Sequence, residues 1–204
     1  MTDDITFRKA TRHLSRDKKM AAVIKRVGDF NPPKSTTGMF DVLMRIIVGQ
    51  QLSGKAAQTI FGRVRALNGN RPFSVKAMAQ LSDEKLLGAG LSRPKLKSIR
   101  SVTEAVASGQ ISARKINRMT EEEAIETLTA VKGLGPWSVH MYLMFHAQRL
   151  DVFAPGDLGI QKAFRQIYGC EVTDPKCDQI TSKWRPYRTV ACWYLWRSLS
   201  AGGI

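Results

Sequence analysis

Two short segments of this 204-residue chain hold residue types that do chemistry when correctly placed. The first is Gly133-Leu134-Gly135-Pro136. A helical apolar pattern from Glu121 to Val131 stops there and another opens at Pro136, whose fixed φ and missing N–H suit a first helical position. Glycines between two helices permit positive φ and leave backbone N–H groups uncovered, so a phosphate oxygen can approach the amides and the positive end of the second helix. Such a hairpin would hold a nucleic-acid backbone without reading its bases. The same residues can also simply turn a corner between packed helices. The second segment is Phe153-Ala154-Pro155-Gly156-Asp157, followed by Leu158, Ile160, Ala163 and Phe164 at helical spacing. Asp157 falls where an N-cap belongs. By itself it reads as a cap, and its place in the stretch from Leu128 to Phe164 is what sets it apart.

The elements that must position these segments are helices. Apolar residues recur at helical spacing in Met39 to Ile47, Ala56 to Val64, Leu96 to Val106 and Trp193 to Leu199, and nothing sustains a period of two. Thr120-Glu121-Glu122-Glu123 predicts a capping box, with three negative charges at a positive helix end. Ser82-Asp83-Glu84 starts another helix in the same way, and Gly88, Gly90 and Gly109 are stops. Only Asn31-Pro32-Pro33-Lys34 has the composition of a linker. The pattern predicts an all-α body of about ten short helices.

Composition narrows the classes further. The chain is 43% apolar and 24% charged, which excludes a disordered chain. No apolar run approaches the roughly 20 residues that span a bilayer. The first residues, MTDDITFRKATRHL, have no apolar stretch behind their charges, so a cytosolic protein is expected. Three cysteines, Cys170, Cys177 and Cys192, do not make a disulfide framework. His13, His140 and His146 form no metal-ligand spacing with Cys or carboxylates. With 32 Lys and Arg against 17 Asp and Glu, the net charge is +15, and it is uneven. Residues 1–100 hold 20 basic and 7 acidic residues, and residues 101–204 hold 12 and 10. A strongly basic half suits a polyanion, whose counterions are released when Lys and Arg replace them.

The glycine hairpin, Pro136-Trp137 and a Pro-x-Asp opening a helix together resemble the helix-hairpin-helix superfamily of DNA glycosylases, specifically the AlkA-type 3-methyladenine DNA glycosylases. Ile46 to Ala57, containing Gln50-Gln51-Leu52-Ser53, looks like the family's helix-turn segment. Leu86 to Lys95 looks like its second DNA-facing loop, and Trp184-Arg185-Pro186-Tyr187-Arg188 with Ala191, Tyr194, Leu195 and Trp196 like its C-terminal helix. The resemblance covers about residues 38–198. It implies an all-α helix-hairpin-helix glycosylase fold of two helical subdomains with the active-site cleft between them. The expected division is one glycosylase unit over 1–204, with subdomains near 35–115 and 1–34 plus 116–204. The expected relative is the compact form without AlkA's N-terminal β-rich domain.

The resemblance also implies a chemistry. These enzymes flip a damaged nucleotide out of duplex DNA and hydrolyse its N-glycosidic bond, leaving an abasic site. An alkylated purine is already cationic and leaves readily, while one carboxylate stabilises the sugar cation or assists a water. Asp157 matches the catalytic aspartate, and a helix N-terminus favours negative charge there. Trp137 and Trp196 match the pocket aromatics that stack on a cationic base. Met141 and Leu158 complete that base pocket, at positions where AlkA has tyrosines. Relatives that also cleave the strand carry a lysine where this chain has Trp137, so a monofunctional enzyme without lyase activity is expected.

Duplex contact is assigned by resemblance to three places. Gln50, Gln51, Leu52 and Ser53 supply a plug for the gap left by the flipped base, and Leu91, Ser92 or Arg93 a wedge, with Lys95 beside it. Gly133, Leu134 and Gly135 hold backbone phosphate. The Gln50 and Gln51 amides can instead cap helix ends, and a loop leucine such as Leu91 can pack beneath its own helix. The carbonyls of Thr129, Val131 and Leu134 match monovalent-cation ligands, so Na+ or K+ would be a structural ion and no cofactor is required. Cys170 and Cys177 have the spacing that begins an iron–sulfur motif, but four thiolates are needed and no cluster is expected. The partner implied is double-stranded DNA with alkylated bases, met by a monomer away from membranes, in a bacterial cytoplasm at the nucleoid or in a eukaryotic nucleus. A non-catalytic helix-hairpin-helix DNA-binding module and a glycosylase for oxidised or deaminated bases are the rival readings.

Overall fold

The computed structural model describes residues 4–31, 37–52 and 54–200. Among the described residues there is no strand. In chain order the helices are α1 Asp4–Leu14, α2 Lys18–Val27, α3 Met39–Gly49, α4 Gly54–Ala66, α5 Val75–Gln80, α6 Asp83–Gly88, α7 Arg93–Ala107, α8 Ala113–Ile116, α9 Glu121–Thr129, α10 Pro136–Phe145, α11 Leu158–Tyr168, α12 Pro175–Thr181 and α13 Arg188–Ser200, with a short 3-10 turn at Ser182–Trp184. None of them is long and apolar enough to cross a membrane. The all-α expectation holds, with more and shorter helices than the periodicity suggested. Hydroxyl caps explain several of the helix starts, expected and new: Ser74, Ser82, Ser92 and Ser112 each accept a backbone N–H from the first turn of their helix. The capping box at Thr120 and Glu123 forms reciprocally as its spacing predicts.

The chain divides into two compact units, residues 34–147 and residues 1–33 with 148–204. This differs from the expected subdomains near 35–115 and 1–34 plus 116–204. The hairpin helices α9 and α10 belong with the basic helices, because α10 packs on α3 as well as on α9. The division also redistributes the charge. Residues 34–147 hold 16 basic and 8 acidic residues, the other unit 16 and 9, so the units carry +8 and +7. The contrast between a positive first half and a nearly neutral second half belongs to the linear chain, because residues 1–33 return to pack with the C-terminal helices.

In the unit of residues 34–147, α3 lies among α4, α7 and α10, burying Phe40, Leu43, Met44 and Ile47. Helix α10 is buried on all sides from Ser138 to Met144, polar Ser138 and His140 included, in keeping with its central place. In the other unit α13 is central, packed against α1, α2 and α11, with Trp184, Tyr194 and Phe164 fully buried. Burying each such aromatic or long aliphatic side chain contributes about 1.5–3 kcal/mol. The Pro32-Pro33-Lys34 part of the expected linker lies outside the described residues.

Candidate active site

Asp157 precedes α11 with extended backbone, and its Oδ1 accepts the Ile160 N–H at 2.9 Å. The capping expected from the sequence is therefore real. The same Oδ1 also accepts the indole Nε1–H of Trp196 at 2.7 Å. A backbone amide and a tryptophan thus fix the carboxylate, at the positive end of a helix. Trp196 was expected as a stacking partner for a base, and the structure gives its half-buried indole a further task of aiming Asp157. Leu158 follows with 80% of its surface exposed.

Two supports of this arrangement escaped the sequence reading. Gly159 is the first. A Cβ there would stand 2.9 Å from Trp196 Cδ1 and 3.1 Å from Asp157 Oδ1, so only glycine lets the indole lie over the first turn of α11. Its signal was present as the only glycine of the α11 segment, in its first turn. The second support is the tie between the 149–152 loop and the start of α13. Arg188 Nε donates to Asp151 Oδ1 at 2.7 Å and its Nη2 to the Asp151 carbonyl at 2.9 Å. Thr189 Oγ1 donates to the Arg149 carbonyl at 2.6 Å and accepts the Val152 N–H at 3.0 Å. These bonds hold the segment leading to Asp157 against the helix that carries Trp196.

In the unit of residues 34–147, Gly133 has φ of 96°, and a Cβ on it would collide with the Cβ and Oγ of Ser98 on α7. Positive φ and close approach both require glycine here. Leu134 is buried and anchors the hairpin, while Gly135 caps α10 with backbone alone. Trp137 stands half-buried in the first turn of α10, and the buried Met141 follows one turn later on the same side.

Several residues expected on the duplex have other work. Gln50 Nε2 donates to the Gly133 carbonyl at 3.0 Å and to Ser138 Oγ at 2.9 Å, so it ties the turn after α3 to the hairpin. Lys95 Nζ donates to the Val48 carbonyl at 2.7 Å near the end of α3, and burial pushes its pKa down. Leu91, expected as a wedge, is only 4% exposed and packs in the core. Ser92 caps α7 through the Lys95 N–H. Gln50 and Lys95 find partners remote in sequence, which local spacing does not display, whereas the Ser92 cap is local. Arg93, Gln51 and Leu52 remain exposed, Gln51 with φ of 55°. Ser53 lies outside the described residues.

Among the described residues no group of three or more His, Cys, Asp or Glu is placed to hold a metal. Cys177 and Cys192 are buried free thiols and Cys170 is half-buried. Burial and nearby acidic groups push the Cys177 thiol up to about 11. His13 Nε2 bonds to the Lys183 carbonyl at 2.9 Å, and desolvation holds His146 below its ordinary pKa. Of the carbonyls expected to take a cation, that of Val131 accepts the Leu134 N–H at 3.1 Å.

Residues 44–186 match the family model of the HhH-GPD superfamily of base excision DNA repair proteins. The chain belongs to that superfamily. Within it, the chain is 34% identical over 197 residues to DNA-3-methyladenine glycosylase 1 of Schizosaccharomyces pombe, covering 93% of this chain and 86% of that protein. A solved structure of the Schizosaccharomyces pombe 3-methyladenine DNA glycosylase in complex with abasic DNA superposes with a TM-score of 0.86 at 33% identity, covering 94% of this chain and 97% of that one. A DNA-3-methyladenine glycosidase from Bacillus halodurans gives 0.79 at 36% identity, with 93% and 87% covered. The superfamily membership fits a fold built of helices around a glycine hairpin and a helix-capping aspartate.

Proposed function

We propose that the protein is a monofunctional DNA glycosylase that flips alkylated purines of the 3-methyladenine type out of duplex DNA and hydrolyses their N-glycosidic bond. The observation that carries this reading is the Asp157 carboxylate, aimed by the Ile160 N–H and the Trp196 indole. A fixed carboxylate needs no reorganisation as positive charge develops on the sugar, and it either stabilises that charge or orients a water for attack. The alkylated base leaves as a neutral purine, since its positive charge is neutralised by the bond's electron pair. In the unit of residues 34–147, Trp137 and Met141 offer an aromatic face and a polarisable thioether to an electron-poor ring. In the other unit, Leu158 and Trp196 flank Asp157.

Three supports stand beside the carboxylate. Relatives named as 3-methyladenine glycosylases cover most of the chain at 33–36% identity. Trp137 occupies the position of the lysine that attacks the sugar in strand-cleaving relatives, so this chain leaves an intact abasic site. The hairpin at Gly133-Leu134-Gly135 meets a backbone phosphate, Gln51 or Leu52 fills the gap in the stack and Arg93 takes the wedge role left by the buried Leu91. The enzyme works as a monomer on double-stranded DNA and needs no redox or organic cofactor. The hairpin carbonyls of Thr129, Val131 and Leu134 are hard neutral donors suited to Na+ or K+, and the Val131 oxygen keeps one lone pair beyond its bond to Leu134. Such an ion would reinforce the hairpin and take no part in bond cleavage.

The test is base release from duplexes carrying 3-methyladenine, 7-methylguanine, 1,N6-ethenoadenine, hypoxanthine or 8-oxoguanine, with wild type and Asp157→Asn. Release of alkylated purines by the wild type alone is expected. No release of any base contradicts the enzyme, and a borohydride-trapped covalent complex contradicts its monofunctional character.

A further inference from the structure

The unit of residues 34–147 has a basic feature of which the proposed function uses only Arg93. Next to the hairpin, an open groove of about 400 Å³ is lined by Arg93, Lys97 and Arg100 of α7, by Lys132 and by Asp83, over an apolar floor that includes Leu96. Arg93, Lys97 and Arg100 recur at helical spacing and so share one side of α7. Arg100 is committed inward. Its Nε and Nη2 donate to Asp83 Oδ1 at 2.9 and 2.6 Å, and its Nη1 to the Met78 carbonyl at 2.9 Å. Asp83 is thereby neutralised. Arg93, Lys97 and Lys132 are exposed, and the groove as a whole carries four positive and one negative side chain, a net +3.

Packing makes this groove continuous with the hairpin. Lys132 precedes Gly133, and Gly133 lies so close to Ser98, the residue after Lys97, that a Cβ would be 2.9 Å from the Ser98 Cα. We infer that Lys97 and Lys132 hold backbone phosphates of the DNA duplex adjoining the phosphate met by the hairpin. The groove suits a polymer backbone better than a small free anion. It is open, and its three exposed cations are long flexible side chains with no buried donor among them. That is the arrangement of contacts that release counterions, not of a closed anion pocket. The inference rests on the glycosylase reading for its partner and adds residues that position the duplex without contacting the reacting atoms.

The test measures affinity for an undamaged duplex across a salt series, for wild type, Lys97→Gln/Lys132→Gln, the charge-conserving Lys97→Arg/Lys132→Arg and Arg114→Gln. Lys97, Lys132 and Arg114 are all exposed, so no core is lost, and Arg114 on α8 lies outside the groove. The slope of log K against log salt is expected to fall by about 0.9 for each lysine neutralised, and to stay at the wild-type value in the Arg variant and in Arg114→Gln. Single-turnover base release at saturating protein stays within about twofold of wild type, since positioning contacts act on binding. A wild-type slope in Lys97→Gln/Lys132→Gln overturns the inference. Base release keeps the two ideas separate. Release with an unchanged slope contradicts the groove alone, whereas no release with a reduced slope contradicts the glycosylase and keeps the groove as a duplex contact.

Discussion

Two aspartates in the same compact unit use one device for different ends. Asp17 caps α2 through the Lys19 and Met20 N–H groups and receives the indole Nε1–H of Trp184 at 3.2 Å. Asp157 caps α11 and receives the indole of Trp196 at 2.7 Å. At Asp17 the Tyr168 hydroxyl adds a third kind of donor at 2.8 Å, and Trp184 is fully buried in a cage of Phe153, Phe164 and Tyr168 rings. That cluster is an aromatic joint holding α1 and α2 to the C-terminal helices, at the edge of a cavity of about 580 Å³ that Asp17, Tyr168 and Trp184 line. At Asp157 the indole of Trp196 is half-buried and the next residue, Leu158, is exposed. A capped helix with an indole on its carboxylate is thus a packing joint where that indole is fully buried among rings, and a candidate reaction centre where the indole is half-buried and the next residue faces outward.

The largest effect is expected from neutralising Asp157. Asn keeps the cap and loses the charge, so Asp157→Asn is expected to lower single-turnover base release by about 100-fold or more with a nearly unchanged melting temperature. Next in size is Trp196→Phe, which deletes the indole donor to a charged acceptor. Such bonds contribute about 1.5–3 kcal/mol, so release should fall at least tenfold while affinity for an abasic duplex changes less. Gly159→Ala should follow, at about tenfold, because its methyl displaces the Trp196 ring or the Asp157 oxygen. Helix propensity alone would make that same change stabilising, so a faster or equally active variant would show that Gly159 does not set the carboxylate.

The smallest effect belongs to the aromatic joint at Asp17 and to alkaline pH. Burial, reinforced by the charge of Asp17 and the hydrogen bond to it, holds the Tyr168 hydroxyl well above its ordinary pKa of about 10. A folded-state pKa raised above the unfolded value means that stability is present below pH 10 and lost as pH rises beyond it. Replacing Tyr168 by Phe should remove that alkaline loss, read from melting temperatures at pH 8 to 11, and leave base release per folded molecule unchanged.

Much of this arrangement was legible along the chain, because caps and helix stops are local. Thr120 with Glu123, Ser82, Gly90, Gly109 and the Pro136 start all depend on neighbours within a turn, and each appears where its spacing put it. Asp157 was legible as a cap for the same reason. What stayed hidden is what comes from afar. Gln50 reaches Gly133 and Ser138, Lys95 reaches Val48, and Leu91 sinks into the core, so three residues that look like duplex contacts serve to brace them. The even charge of the two units was hidden too, since it depends on residues 1–33 folding back onto α13.

The most direct measurement of the central claim compares two substitutions in one assay: single-turnover release of 3-methyladenine from a duplex by Asp157→Asn and by Asp17→Asn, each corrected for its folded fraction. Asp157→Asn is expected to lose about 100-fold or more while keeping its stability. Asp17→Asn is expected to keep wild-type release per folded molecule and to lose about 1–3 kcal/mol of stability. Equal release by Asp157→Asn and wild type would contradict the role assigned to that carboxylate.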